Sequence, residues 1–175
     1  MLITSALLMV VVLAAFNSFD TVSRSQAYQA DRTNNLDDMR GALNRMTREI
    51  RQATSVTQPA STPSSTLTYV TYVNGVSTTI VYAATGTYDP TTHLCTAIAS
   101  CNLTRKVGAG TAFPVLKRLT NDQIFTPVSA TDVTGIQWVE IAISVTPVKS
   151  PDTVLTLESK VNLRNRTAAL TGTTS

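Results

Sequence analysis

The chain has little of what catalysis usually requires. It contains one histidine, His93, and two cysteines, and charged residues make up 14% of its 175 residues. No Gly-x-Ser-x-Gly, phosphate-loop, His-Glu-x-x-His or EF-hand pattern is present. A zinc site would need two ligands beyond the cysteines, and a lone loop histidine is far more often structural than catalytic. The sequence therefore predicts no enzymatic activity, no cofactor and no metal.

Strong charge of either sign is also missing. Lys and Arg total 14 against 11 Asp and Glu, which gives a net charge of +3. Nucleic-acid binding usually needs a denser basic surface. We interpret Arg105, Lys106, Lys117 and Arg118 as ordinary surface charges, and we expect no nucleic-acid partner.

Helix-breaking residues are absent from the start of the chain, where the first glycine is Gly41 and the first proline is Pro59. Residues 2–19 contain no charge, and as a helix they would span about 27 Å, close to the roughly 30 Å hydrocarbon core. The sequence predicts that residues 2–19 form a transmembrane helix that carries an extracytoplasmic head. A cleaved secretory signal is the alternative, but no Lys or Arg precedes the apolar run, which is also long for a signal.

An amphipathic pattern follows the apolar run. Apolar residues recur at spacings of three and four, as on one face of a helix, and we expect them to pack the helix onto the head: Leu36, Met39, Leu43, Met46 and Ile50. Arg45 and Glu49 are spaced to form an i, i+4 ion pair. Residues 33–35 are poor helix formers and Asn35 could cap a second helix, so a continuous helix to residue 53 and a joint both remain open.

The rest of the chain has the alternation of β-strands. Two β-rich runs, residues 67–73 and 76–82, flank Asn74-Gly75, which predicts a hairpin with a type I′ turn. Residues 136–145 and 153–164 alternate apolar and polar side chains, so we expect an antiparallel pair with one buried face.

The predicted fold is α+β, with a long N-terminal helix packed on an antiparallel β-sheet head. The predicted domains are the helix and a Ser/Thr/Pro-rich connector (1–58), the head (59–166) and a disordered tail (167–175). Five residues separate Cys95 from Cys101, and in an exported head this spacing favours a local disulfide. Two free buried thiols are the alternative.

Two segments carry a resemblance to a known family. Residues 43–51 read LNRMTREIR, and residues 161–166 read VNLRNR. A hydrophobic segment that runs into such an Arg-rich helix resembles the type IV pilin and type II secretion pseudopilin superfamily, in particular minor pilins of the PilW or J-pseudopilin kind. The chain does not contain the Gly-Phe-Thr-Leu-x-Glu processing site of that family.

The resemblance implies a minor pilin or pseudopilin that joins or primes a filament, with other pilin subunits and the membrane as partners. It implies a single-pass cytoplasmic-membrane protein that reaches a cell-surface filament on assembly. The residues expected to pack in the membrane or filament are Leu7, Leu8, Val11, Val12, Leu13 and Phe16. The alternative is a membrane-tethered or secreted β-domain that binds a ligand through its loops.

Overall fold

The computed structural model describes residues 2–58, 63–129 and 136–163 of the chain. Within the N-terminal helix, side chains are described at Met9 and from Val12 onward. The predicted disordered tail, residues 167–175, lies outside the described residues. The described part is α+β, with one long N-terminal helix packed on antiparallel β-sheet.

A single helix, α1, runs from Leu2 to Arg51, so its 50 residues span about 75 Å. There is no joint at Asn35. Its side-chain amide donates to the carbonyl oxygen of Asp31, one turn earlier, at 2.7 Å, and is therefore bonded within the helix rather than capping a new one. Arg48 and Arg51 lie in the last turn, where positive charge favours the helix dipole. Of the two possibilities that the sequence left open, the structure has the continuous helix, which ends at Arg51.

The prediction of a transmembrane segment over residues 2–19 is wrong. Among the residues that the structure describes, no helix is long and apolar enough to cross a membrane. Asn17 and Ser18 interrupt the apolar run and Asp20 ends it, short of the roughly 20 mainly apolar residues that a spanning helix needs. The predicted single-pass membrane localisation is corrected with it, whereas the predicted partners stay predictions.

A five-stranded antiparallel sheet forms the larger part of the head. Its strands, in spatial order, are β1 (Ser55–Gln58), β2 (Thr66–Val73), β3 (Val76–Thr85), β4 (Asn102–Val107) and β5 (Phe113–Lys117).

The hairpin prediction is confirmed within this sheet. Val73 pairs with Val76, and the intervening Asn74 and Gly75 have φ angles of 51° and 79°, as a type I′ turn requires. Part of the predicted connector forms β1, a strand that the sequence analysis did not predict, and β1 pairs with β2 at the edge of the sheet.

A second, three-stranded antiparallel sheet has the order β6-β7-β8 and consists of β6 (Phe125–Ser129), β7 (Ile136–Val145) and β8 (Leu155–Asn162). The predicted pairing of its last two strands is confirmed, with Trp138 opposite Asn162 and Val145 opposite Leu155. The buried face of β7 also matches the expected alternation: Val139, Ile141, Ile143 and Val145.

Both sheets and the second half of α1 share one core. Isolated bridges join the sheets at Leu119 with Val145 and at Ser64 with Phe125. The helix contributes Met39, Met46 and Ile50, all fully buried, to the same cluster as the inward side chains of both sheets. The helix therefore covers apolar sheet surface that would otherwise face water.

Candidate functional site

The first half of α1 extends away from the head, and we call residues 9–26 the projecting segment. Every side chain described there is exposed. The segment is about 27 Å long. The helix meets the head near Asp31, whose carboxylate accepts a hydrogen bond from the backbone N–H of Lys149 at 2.7 Å. The projecting segment therefore has no partner among the described residues of its own chain.

One face of the projecting segment is apolar. Five large side chains with exposures of 42–74% fall within an arc of roughly 120° at 100° per residue, and we call them the apolar stripe: Met9, Val12, Leu13, Phe16 and Phe19. Large contiguous apolar surfaces are rarely left exposed on monomeric soluble proteins. Three predicted filament residues, Val12, Leu13 and Phe16, belong to the stripe. Leu7, Leu8 and Val11 lie in the helix, but their side chains are outside the described residues.

Three polar contacts of the projecting segment are formed within the helix itself. The hydroxyls of Ser18 and Thr21 donate to carbonyl oxygens one turn earlier, at 3.0 and 2.9 Å. Asp20 and Arg24 form an exposed ion pair of 2.8 Å. At 100° per residue, Ser18 falls opposite the stripe, whereas Asp20 falls in line with the stripe and ends it on the C-terminal side.

The second half of α1 is fixed to the head by burial. Of the residues predicted to pack there, Met39, Met46 and Ile50 are fully buried, Leu43 is 8% exposed and Leu36 is partly buried against the core. Burial of a large apolar side chain contributes about 1.5–3 kcal/mol, so this half cannot leave the head without unfolding it.

A polar cluster, which the sequence did not reveal, lies where this half meets the five-stranded sheet. We call it the Glu49 cluster. The Oε2 atom of Glu49 accepts hydrogen bonds from the hydroxyls of Tyr69 and Tyr82, at 2.7 and 2.9 Å, and from Nε of Arg105 at 3.0 Å. Its Oε1 atom accepts one from Nε of Arg45 at 3.1 Å. The predicted Arg45–Glu49 pair is therefore confirmed. It is one of four hydrogen bonds that the Glu49 carboxylate accepts.

The interpretation of Arg105 as an ordinary surface charge is wrong. Its side chain is only 17% exposed and is paired with Glu49, because β4 points it at the helix. Arg118 is also engaged, since its Nε donates to the carbonyl oxygen of Thr146 at 2.8 Å.

The ionisation of the Glu49 cluster follows from these bonds. Burial opposes the charge on Glu49, but the hydrogen bonds from both tyrosines and both arginines outweigh it and lower its pKa. Burial and the neighbouring carboxylate raise the pKa of Tyr69 and of Tyr82 far above the ordinary tyrosine value. At neutral pH the carboxylate is therefore ionised and both tyrosines remain hydrogen-bond donors.

Cys95 and Cys101 form a disulfide. Gly86, with φ of 134°, lies against Cys101, where an added Cβ would be 2.7 Å from its sulfur. In the same loop region, Nδ1 of His93 lies 3.1 Å from a carboxylate oxygen of Asp122. Within the described ranges, no group of three or more His, Cys, Asp or Glu side chains could hold a metal ion.

These features define an α+β protein in which a partly buried ionic cluster joins α1 to the five-stranded sheet, and in which an apolar helix surface has no partner among the described residues. Comparison with protein-family models, with curated proteins and with solved structures finds no match. The pilin resemblance therefore remains a prediction from residues 43–51 and 161–166.

Proposed function

We propose that this protein is a minor pilin or pseudopilin subunit that joins or primes a filament of the type IV pilus or type II secretion kind. The observation that carries the proposal is the apolar stripe. Its five side chains lie on a rigid helix that extends about 27 Å beyond the head, and other subunits of the same architecture would cover it.

The stripe has enough apolar surface to drive association. Complete burial of a large apolar side chain contributes about 1.5–3 kcal/mol, and these five are already partly covered by their own helix, so about 1 kcal/mol each is a fair estimate. About 5 kcal/mol per subunit is then gained on assembly, before the cost of association is subtracted. Because each subunit contacts several neighbours in a filament, the repeated contacts together offset the cost of association.

The head keeps the stripe in a fixed orientation. The buried residues of α1 and the Glu49 cluster both lie in the C-terminal half of the same uninterrupted helix. A rigid link between head and stripe suits an assembly in which subunits differ only in their heads. The disulfide also suits a protein that folds in an oxidising compartment.

The test measures recovery of the tagged chain in filaments sheared from the cells that produce it. Phe16→Asp places a carboxylate in the stripe, and we expect filament recovery to fall at least tenfold. Ser18→Asp is the matched control, because it adds the same charge two residues away on the opposite face, and we expect near-normal recovery. Both heads should melt at the wild-type temperature.

A third variant separates assembly from folding. Leu43 is buried under the sheets, so Leu43→Asp should unfold the head and remove the chain from every fraction. If Phe16→Asp protein enters filaments at the normal level, the proposal fails. The alternative function, a β-domain that binds a ligand through its loops, is then favoured.

A further inference from the structure

A cleft opens at the side of the head, where α1 passes the end of β5. It has a volume of about 330 Å³ and is lined by Arg45, Arg105, Phe113, Pro114 and Val115. This volume lies at the small end of the range for small-molecule sites, which is about 300–1,000 Å³. The cleft is separate from the apolar stripe, so nothing about it depends on the proposed filament.

The positive charge of the cleft is only half neutralised by the protein. Arg45 and Arg105 each use Nε to bond Glu49, at 3.1 and 3.0 Å. Neither guanidinium has another hydrogen-bond partner among the described residues, so both keep their terminal amino groups for a ligand. Two arginines against one carboxylate leave a net charge of +1, since Tyr69 and Tyr82 stay neutral.

Glu49 also holds the two guanidinium groups in place. It fixes each through the nitrogen nearest its own backbone, and Arg105 is held further by its low exposure of 17%. Donors that are immobilised before binding lose little entropy when a ligand arrives. Guanidinium groups recognise planar oxyanions through two parallel N–H···O bonds, so a carboxylate fits this arrangement.

An apolar wall completes the cleft. Phe113 lies directly opposite Arg105 in the pairing of β4 with β5, so both side chains are on the same face of the sheet. Its ring is 68% exposed although Leu116 on the same strand is buried. Pro114 and Val115 extend the apolar surface. An aromatic or aliphatic body attached to the carboxylate would cover this wall.

We propose that this cleft binds a small organic carboxylate with an aromatic or apolar body, held by Arg45 and Arg105 at its charged end and by Phe113 at the other. The same chemistry is offered by a free small molecule and by a peptide that ends in an apolar residue.

The test is calorimetric titration of the full-length protein with benzoate and with N-acetylphenylalanine, beside benzamide and inorganic phosphate. We expect saturable one-to-one binding of at least one carboxylate probe and none of benzamide, which has the same shape without the charge. Tighter binding of N-acetylphenylalanine would indicate that the natural ligand is the C-terminus of a peptide. Tighter binding of benzoate would indicate that it is a free small molecule.

Variants locate the binding in the cleft. Arg45→Gln removes one guanidinium and should weaken binding about tenfold or more, with little effect on folding because the side chain is half exposed. Phe113→Ser should weaken both carboxylate probes and leave the melting temperature unchanged. Arg48→Gln, an exposed position on the same helix outside the cleft, is the matched control and should bind normally.

Three results would overturn the proposal. The first is the absence of saturable binding by either carboxylate. The second is equal weakening by Arg45→Gln and Arg48→Gln, which would show general charge attraction. The third is phosphate binding as tight as that of the carboxylates together with no effect of Phe113→Ser, which would show an unselective anion site.

Discussion

Replacing Glu49 by Gln tests the polar cluster that fixes α1 to the head. The substitution keeps the size of the side chain and removes its charge. The carboxylate accepts four hydrogen bonds of 2.7–3.1 Å, and an amide has only one oxygen to accept them. Its NH2 group would face donors from Tyr69, Tyr82 or the arginines, and Arg105 would lose its counter-ion.

The size of the effect follows from burial. Removing one partner of a fully buried ion pair costs about 3–5 kcal/mol. The side chains of Glu49 and Arg105 are 18% and 17% exposed, so water relieves part of the penalty. We therefore expect Glu49→Gln to lower the free energy of unfolding by about 2–3 kcal/mol at pH 7, with a fall in melting temperature of about 6–10 °C.

The pH dependence gives an independent check. Because the pKa of Glu49 is lowered in the folded protein, its contribution is complete above its ordinary value of 4.5 and is lost as the pH falls through the lowered folded pKa. The stability difference between wild type and Glu49→Gln should be constant from pH 7 to about 5 and smaller at pH 3. Other carboxylates affect both proteins equally and cancel in this difference.

Chemical denaturation at several pH values measures both quantities. Glu158→Gln is the matched control, since Glu158 is exposed and makes no ion pair among the described residues, and its stability should stay within about 0.5 kcal/mol of wild type. Equal stability of Glu49→Gln and Glu158→Gln at pH 7 would show that the Glu49 cluster does not stabilise the packing of α1 on the head. A Glu49→Gln deficit that is undiminished at pH 3 would show that the lost charge does not cause it.

Three further variants, one of them with a matched control, test the packing of the head and the helix. Replacing Cys95 and Cys101 together by Ser should lower the free energy of unfolding by about 2 kcal/mol from loop closure alone, measured by denaturation without reductant. Gly86→Ala should destabilise the head by more than 1 kcal/mol in thermal melts, because the φ of 134° and the sulfur at 2.7 Å both exclude a Cβ. Met46→Ala should cost about 2–5 kcal/mol by leaving a cavity, whereas Met9→Ala, exposed on the projecting segment, should leave the melting temperature unchanged.

The features that follow from local periodicity could be predicted from the sequence. The three-and-four spacing of Met39, Met46 and Ile50 identified the buried face of α1, because that spacing is the geometry of one helix face. The Asn74-Gly75 turn fixed the register of β2 with β3 for a similar reason, since few residue pairs adopt two positive φ angles.

The features that depend on distant residues could not be predicted. Glu49 gathers donors from β2, β3 and β4, which are 20, 33 and 56 residues away, and only its partner one helical turn away shows in the local spacing. β1 was missed because its pairing uses backbone groups at a sheet edge and its four residues show no long alternation. The apolar run at the start of α1 suggested a membrane span because composition alone does not distinguish lipid from another apolar surface.

Contact between the apolar stripe and other subunits of a filament can be measured by cross-linking through a single introduced thiol. Both native cysteines are in the disulfide, so Phe16→Cys supplies the one reactive thiol of the chain. Sheared filaments that carry Phe16→Cys, labelled at this thiol with a photoreactive maleimide and illuminated, should yield covalent products in which this subunit is joined to a neighbour. Ser18→Cys, on the opposite face of the helix, should yield few. Cross-linking that is absent from Phe16→Cys, or equal at both positions, would show that the apolar stripe does not lie against neighbouring subunits.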